Sequence, residues 1–287
     1  MPALRIVTAL VLAGLGAAPQ ITQVRPMCAP FRVMSYNILE SYDVPAEKWA
    51  KWSLRRDDFI RQLQTAKPAI IGMQEVTTVQ KTDLQQGLPG YTFLGVARED
   101  GHTGGEATNI AVNEAVFEVQ SSGTFWLSPT PDVPSKGWDA GYKRIATWGH
   151  LLHRGDERRF LVLNTHLDSN GRRARLEGAR QIAAWLTANR KPNELVIMTG
   201  DFNSGDAGPP VALLTSPAIG LRDSRKITKS PPFGPQATYD DRSRIDFVLV
   251  GPGIEVQHYS VLSAHGHRGQ VLSDHFPVVA DVTACAK

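Results

Sequence analysis

Apolar and polar positions alternate along this chain with two different periods. Short runs rich in branched and aromatic residues recur at 31–38, 69–73, 91–96, 110–112, 146–153, 159–164, 195–198, 247–250 and 277–282. Most are bounded by Gly, Pro, Asn or Asp, and they predict strands. Three stretches have helical spacing instead. The segment 48–66 carries apolar residues on one face, and 79–88 is short and polar-faced. In 172–189, Leu176, Ala179, Ile182, Ala183 and Leu186 share one face and arginines the other. Strands dominate, and helices alternate with them only in places. Two packed sheets covered by helices are therefore expected, rather than a simple parallel α/β sheet.

Composition adds little to this picture, but the N-terminus adds more. The 287 residues carry a formal net charge of +3, compatible with an anionic substrate and with much else. Arg5 precedes an apolar run at 6–18 that ends in small residues, the layout of a signal peptide over 1–20. The run is short for a membrane span. A buried N-terminal helix is the alternative, against which Pro19 and Pro26 break the chain soon afterwards. Export to the periplasm or the medium is expected, with no stable membrane insertion once the signal is removed. The mature unit, 28–287, contains no repeat or long linker and is expected to be one monomeric domain. Cys28 and Cys285 flank that domain. In an oxidising compartment they read as one disulfide tying its ends, and otherwise as two buried thiols. They are too few for a zinc site.

The chemistry lies where strands end. The run from Val33 ends on Asn37, and the run from Ile70 ends on Glu75. The run to Asn164 continues into His166 and Asp168, and the run from Val196 continues into Asp201 and Asn203. Asp246 immediately precedes Phe247, and Asp274-His275 precedes the last strand. Singly, each is explained as a turn residue, a satisfied histidine or a solvated acid. Together, acids, amides and two histidines from distant segments converge at one end of a sandwich, as active sites commonly do.

The order Tyr36-Asn37, Gln74-Glu75, Thr165-His166-Leu167-Asp168, Gly200-Asp201-Phe202-Asn203, Arg244-Ile245-Asp246 and Ser273-Asp274-His275 resembles the endonuclease/exonuclease/phosphatase family. The likeness runs across 31–283. Residues 123–140, followed by Arg144 to Trp148, are similar to a subgroup of exported bacterial metal-dependent hydrolases. The resemblance implies a four-layer α/β/β/α sandwich with two mainly antiparallel or mixed sheets. It also implies hydrolysis of phosphate esters with Mg²⁺, Mn²⁺ or Ca²⁺ as cofactor. By the same resemblance Glu75 is the principal metal ligand, with Asn37 and Asp274 beside it. Asp201 orients or deprotonates the attacking water, and Asn203 holds that water or a phosphate oxygen. His275 contacts the scissile phosphate, Asp246 fixes a histidine's tautomer, and His166 donates to phosphate or leaving group. Arg144 matches a position that reaches phosphate, a task suited to a forked guanidinium; a surface ion pair is the competing explanation. Glu106 follows two glycines in a candidate active-site loop, and a solvated loop acid explains Asp168 almost as well. In the abasic-site endonucleases a second acid follows the Asn by two residues; here that position is Leu39, which argues against DNA repair.

The leading expectation is a phosphodiesterase acting on nucleic acid or nucleotides, with Trp126, Trp138, Tyr142 and Trp148 as candidates to stack a base. Core packing accounts equally well for those aromatics. The arginines of 172–189 could track a nucleic-acid backbone, although a solvated face is the commoner reason for them. A phosphomonoesterase or a sphingomyelinase-like lipid phosphodiesterase is the alternative, and no amphipathic segment stands out to dock on a bilayer. A non-catalytic binding module on the same fold is the remaining class, against which the full set of acids and histidines speaks.

Overall fold

Strict alternation builds the first sheet. The computed structural model describes residues 30–41, 51–267 and 269–284. In β1 (Phe31–Asn37) Val33 faces the space between two sheets, while Met34 and Tyr36 face outward. Outward residues pack under α1 (Trp52–Ala66) and α2 (Thr78–Gly87) through Trp52, Phe59, Leu63 and Leu84. The sheet continues with β2 (Ile70–Gln74), β3 (Tyr91–Leu94), β4 (Ile110–Asn113), β11 (Glu255–Val261) and β12 (Val278–Thr283). Its order is β11-β12-β1-β2-β4-β3.

The second sheet has the order β5-β6-β7-β8-β10-β9. Its strands are β5 (Phe117–Trp126), β6 (Ile145–His153), β7 (Arg159–His166), β8 (Leu195–Asp201), β9 (Arg222–Asp223) and β10 (Asp246–Val250). Its outer face buries Leu161, Leu163 and Met198 against α3 (Arg172–Asn189) and α4 (Pro209–Leu214). A short α5 (Ser224–Ile227) follows β9. The inner faces of both sheets share one core, with Val33, Ile70 and Ile110 facing Val162, Ile197 and Val248. Apolar area removed from water in these three interfaces is the main source of stability. The architecture is the expected four-layer α/β/β/α sandwich. Both sheets are mixed: β1 with β2 and β7 with β8 are parallel, and the remaining pairs are antiparallel.

Toward one end the inter-sheet core turns polar, and this sets the position of the site. Gln74 donates to Asn164 Oδ1 at 2.6 Å, and Asn164 Nδ2 donates to the Met73 and Asn109 carbonyls at 2.8 and 2.9 Å. Thr199 reaches Asn164 Oδ1 at 3.1 Å, and Ser35 accepts from the Gly200 amide at 3.0 Å. These directional bonds fix one sheet against the other, while Gln74 Oε1 and Asn109 Oδ1 have no partner among the described residues. Gly72 is required there, because a Cβ would stand 1.9 Å from Thr199 Oγ1.

Two strands differ instructively from expectation. The runs predicted at 159–164 and 195–198 continue to His166 and Asp201, so both residues end ladders rather than sit in loops. β5 and β11 were not expected, β5 because exposed Gln120, Ser121 and Ser122 interrupt its pattern. The expected signal peptide at 1–20 and the Cys28–Cys285 pair lie outside the described residues. Among the described residues no helix is long and apolar enough to cross a membrane.

Candidate active site

Strand register brings the polar strand ends together. Asn37 pairs with Gln74 across β1 and β2, and Asp201 pairs with both His166 and Asp246 across the second sheet. Both sheets thus present their functional ends along the same edge. They open into a cleft of about 620 Å³ lined by Glu75, Arg144, His166, Asp201, Asn203, Asp274 and His275. Asn37 lies buried beneath them and bridges the sheets, donating to Glu75 Oε1 at 2.9 Å and to Asp201 Oδ2 at 3.1 Å.

The second-sheet side is a hydrogen-bonded relay. Asp246 Oδ2 lies 2.9 Å from His275 Nδ1, which leaves Nε2 facing Asp201 Oδ2 at 3.7 Å. Burial disfavours a charged His275, but the charge and hydrogen bond of Asp246, with Asp201 behind, push it up to about 10. His275 is therefore an imidazolium at neutral pH. Burial and the Asp246 charge push Asp201 up to about 7. His166 goes the other way: burial and the Arg144 and Arg98 guanidiniums hold it well below its ordinary value, so it is neutral. Its Nε2 lies 3.0 Å from Asn203 Nδ2, which also donates to the Leu167 carbonyl at 2.9 Å. Asn203 in turn sits at φ 44° and its amide donates to Asp201 Oδ1 at 2.8 Å.

The first-sheet side is acidic. Glu75 has φ 61°, a left-handed conformation uncommon for a non-glycine residue, directly after the end of β2. Burial pushes its carboxyl up, yet hydrogen bonds from Glu40 and Asn37 and the His275 charge hold it below the usual range. Glu40 is raised to about 8 by burial and by Glu75, and burial raises Asp274 as well. Oxygen donors crowded until some must hold protons are what a hard divalent cation would relieve. Glu75, Asp274 and Glu40 line one side of the cleft, and oxygen donors of this kind suit a hard divalent cation; Asn37 Oδ1 is engaged by the Leu39 amide at 3.1 Å. Among the described residues, the group whose ligand atoms all lie within 4.8 Å of one another is Asp201, Asp246 and His275. Because His275 Nδ1 is engaged with Asp246, that group is better explained as a proton relay than as a second cation site.

Glu40 was missed from sequence. The acid sought two residues after Asn37 is Leu39, but Leu39 takes φ 55°, and that left-handed turn delivers Glu40 to the cleft instead. Arg55 was missed too: fully buried, it donates to the carbonyls of Ile38, Leu39, Glu40 and Leu272, and so fixes the segment that carries Glu40.

The third wall is built from two loops. Arg144 is buried at 5 % exposure, which overturns the surface ion pair; Nε lies 3.3 Å from Asp168 Oδ2, and Nη1 has no hydrogen-bond partner among the described residues. A buried, unpaired guanidinium N–H beside an anion-binding cleft is a donor awaiting an acceptor. Asp168 is also buried rather than solvated. Its carboxylate accepts from the amides of Gly141, Tyr142, Asn170 and Gly171 at 3.0, 3.2, 3.1 and 2.6 Å, which anchors the loop before Arg144. Glu106 pairs in a fork with Arg98 at 2.8 Å per bond, and Arg98 was not anticipated. Of the proposed base-stacking aromatics, Trp126 is buried and Trp148 packs on Trp185; Tyr142, 48 % exposed, lines the cleft. Tyr239, also unanticipated, lies over the His275 ring at 4.7 Å.

A family model, that of the endonuclease/exonuclease/phosphatase family, matches residues 34–275. The chain belongs to this family. Members of the family hydrolyse phosphate esters, and the present cleft has the acids, histidines and amides for that task. Solved relatives agree over nearly the whole chain. A family protein from Bacteroides thetaiotaomicron is 32 % identical, with a TM-score of 0.83, covering 90 % of this chain and 96 % of its own. A mannosyl-6-phosphatase from the same organism is also 32 % identical, with a TM-score of 0.81 and coverage of 88 % and 99 %. The human Nocturnin catalytic domain, at 20 % identity and a TM-score of 0.68, shares the fold.

Proposed function

We propose that this family member is a divalent-metal-dependent phosphomonoesterase acting on a phosphorylated sugar. One observation carries the choice of a monoester: Arg144 Nη1, which has no partner among the described residues, and the His275 imidazolium face one small cleft, while Arg98 is committed to Glu106 and the acids Glu40, Glu75, Glu99 and Asp274 line the rest. A phosphate monoester carries close to two negative charges at neutral pH, about one more than a diester, so concentrated positive charge favours it. Acids around the cleft would repel an extended polyanion such as a nucleic-acid backbone. The likeness to a mannosyl-6-phosphatase, spanning 88 % of this chain, supports the sugar. The leading expectation from sequence, a nuclease-type phosphodiesterase, becomes the alternative. The N-terminal pattern supports export of the enzyme, with the substrate met outside the cytoplasm.

Each residue then has a task. Glu75, Asp274 and Glu40, with Asn37 beneath, would hold the cation. When bound, that ion supplies Lewis-acid polarisation of a phosphoryl oxygen and stabilises charge on the leaving oxygen. Asp201, held by Asn37 and by the Asn203 amide, accepts the proton of the attacking water. His275 donates from Nε2 to a phosphoryl oxygen, its other nitrogen held by Asp246. Arg144 Nη1 donates to a second phosphoryl oxygen, Asn203 Nδ2 orients the neutral His166, and the departing sugar oxygen takes its proton from solvent.

Activity then follows the two titrations. Asp201 must be ionised, so kcat/KM rises with pH through about 7; His275 must be protonated, so it falls as pH approaches about 10. Asp246→Asn removes the charge that raises His275 and moves the alkaline limb to lower pH. An alkaline limb that stays in place contradicts the relay.

The choice between esters is tested with p-nitrophenyl phosphate and its bis ester, assayed in Mg²⁺, Mn²⁺, Ca²⁺ and EDTA. Faster turnover of the monoester, by about tenfold or more in kcat/KM and abolished by EDTA, is expected. Preference for the diester returns the assignment to a phosphodiesterase.

A further inference from the structure

Glu99 is an anion placed in a cleft that must attract an anion. It lines the cavity, and its side chain remains 44 % exposed. Its carboxylate is braced by two cations: Lys143 Nζ lies 3.2 Å from Oε2, and Arg98 Nε 3.5 Å from Oε1. The loop that carries it is held rigidly. Lys143 also donates to the Glu99 carbonyl at 2.8 Å, and Trp126 Nε1 donates to the Arg98 carbonyl at 2.7 Å. Asp100 Oδ1 closes the turn by accepting from the His102 and Gly104 amides at 2.7 and 2.9 Å. Gly105, at φ 80°, is needed because a Cβ there would stand 2.6 Å from Glu99 Cγ. This order in a surface loop fixes one carboxylate on the wall of a phosphate site.

Tyr142 stands on the same wall. The guanidiniums of Arg98 and Arg144 stand over its ring, 5.0 and 5.3 Å from the centroid, and the side chain stays about half exposed. An immobilised aromatic surface next to a hydrogen-bond-accepting carboxylate is what a cyclic polyol requires. Its C–H faces pack on the ring and its hydroxyls donate to the acid. Strand order sets this wall apart from the other cleft tyrosine. Tyr142 precedes β6, whereas Tyr239 precedes β10 on the far side of β7 and β8, with its ring over His275.

We propose that Glu99 and Tyr142 form the specificity wall for the leaving group, with Glu99 accepting sugar hydroxyls and Tyr142 packing on the ring. Lys143 and Arg98 are positioning residues for it. The inference rests on the phosphomonoesterase reading, and the experiment separates the two. Initial rates are measured on mannose 6-phosphate, glucose 6-phosphate and p-nitrophenyl phosphate for the wild type, Glu99→Gln and Tyr142→Ala, with thermal unfolding as a check on folding. Glu99→Gln loses a hydrogen bond to an ionised acceptor, so KM for the favoured hexose phosphate rises about tenfold or more. It also removes a repulsive charge, so KM for p-nitrophenyl phosphate falls. A residue that only neutralised Arg98 and Lys143 would shift both substrates in the same direction. Tyr142→Ala lowers the ratio of hexose phosphate to aryl phosphate kcat/KM by a similar factor. A ratio that stays within about twofold of wild type in both variants overturns this proposal and leaves the monoesterase reading intact. A wild type that prefers the aryl ester to both hexose phosphates overturns it as well. A wild type that cleaves diesters and no monoester overturns both.

Discussion

Asp201→Asn lowers kcat/KM on a phosphate monoester by about 10³-fold or more, the size expected when the proton acceptor of a hydrolytic step is lost. The same substitution is expected to leave the unfolding temperature in EDTA at pH 8 within a few degrees of wild type, because relief of a buried charge offsets the loss of one of the two oxygens that accept from Asn37 and Asn203. Asp201 is 1 % exposed and its carboxyl is pushed up to about 7 by burial and by Asp246. A carboxyl that binds its proton more tightly folded than unfolded favours the folded state while protonated. That contribution is lost as pH rises from the ordinary carboxylate range through about 7. Asparagine never ionises and escapes the loss. Loss of activity without loss of stability separates a catalytic role from a structural one, and is the usual trade at an active site. A variant that unfolds earlier at pH 8 and keeps most of its activity contradicts the role given to Asp201.

The second large effect concerns the acid cluster. Glu75→Gln keeps the shape of the side chain and its position after β2, but removes one of the charges shared with Glu40 and Asp274. In the wild type, Mg²⁺ at about 100 times its dissociation constant stabilises the folded state by about 2.7 kcal/mol, provided it does not bind the unfolded chain. For a chain of this size that is a rise of several degrees in the unfolding temperature. In Glu75→Gln the rise is expected to shrink or vanish, and activity at fixed Mg²⁺ to drop by about 10²-fold or more. Glu40 and Asp274 then hold their protons less tightly, but the stabilising contribution of the Glu75 carboxylate, held below the usual range by Asn37, Glu40 and the His275 charge, is lost, so each protein's Mg²⁺ response is read against its own unfolding temperature in EDTA. An unchanged response to Mg²⁺ would move the cation site away from Glu75, to the Asp201, Asp246 and His275 group.

Much of this site is legible in the sequence, because strand geometry makes it so. A strand that ends on Asn37, Glu75, His166 or Asp201 places that residue where the ladder stops and the cleft begins, whatever the loop beyond does. Asp246 and His275 are found in the same way, from the opposite side of a strand. The residues that were missed reach the site through backbone turns that a pattern of apolar positions does not record. Glu40 arrives because Leu39 takes φ 55°, and Arg98 and Glu99 because a loop with glycines at positive φ folds back on itself. Tyr239 precedes Asp240 and Asp241, both at positive φ, in a turn rich in polar residues that reads as solvated. Arg144 was ambiguous for a different reason. Its burial depends on Asp168, 24 residues later, and nothing local announces that contact.

The fold was legible to the same depth. Inner and outer faces alternate cleanly in β1, and Val33 and Met34 report their opposite environments. β5 escaped because Gln120, Ser121 and Ser122 are exposed, so one stretch of the strand carries no buried face to betray it. The polar seam of Gln74, Asn164 and Thr199 reads in sequence as an imperfection in apolar strands, whereas in the structure it joins the two sheets beneath the cleft.

The most direct test measures inorganic phosphate from mannose 6-phosphate and, by chromatography, mononucleotide from a dinucleotide that lacks a terminal phosphate, using residues 28–287 in Mg²⁺ with EDTA and Asp201→Asn as controls. Phosphate from the sugar, an intact dinucleotide and silence in both controls are expected. Mononucleotide from the dinucleotide with no phosphate from the sugar would contradict the monoesterase reading.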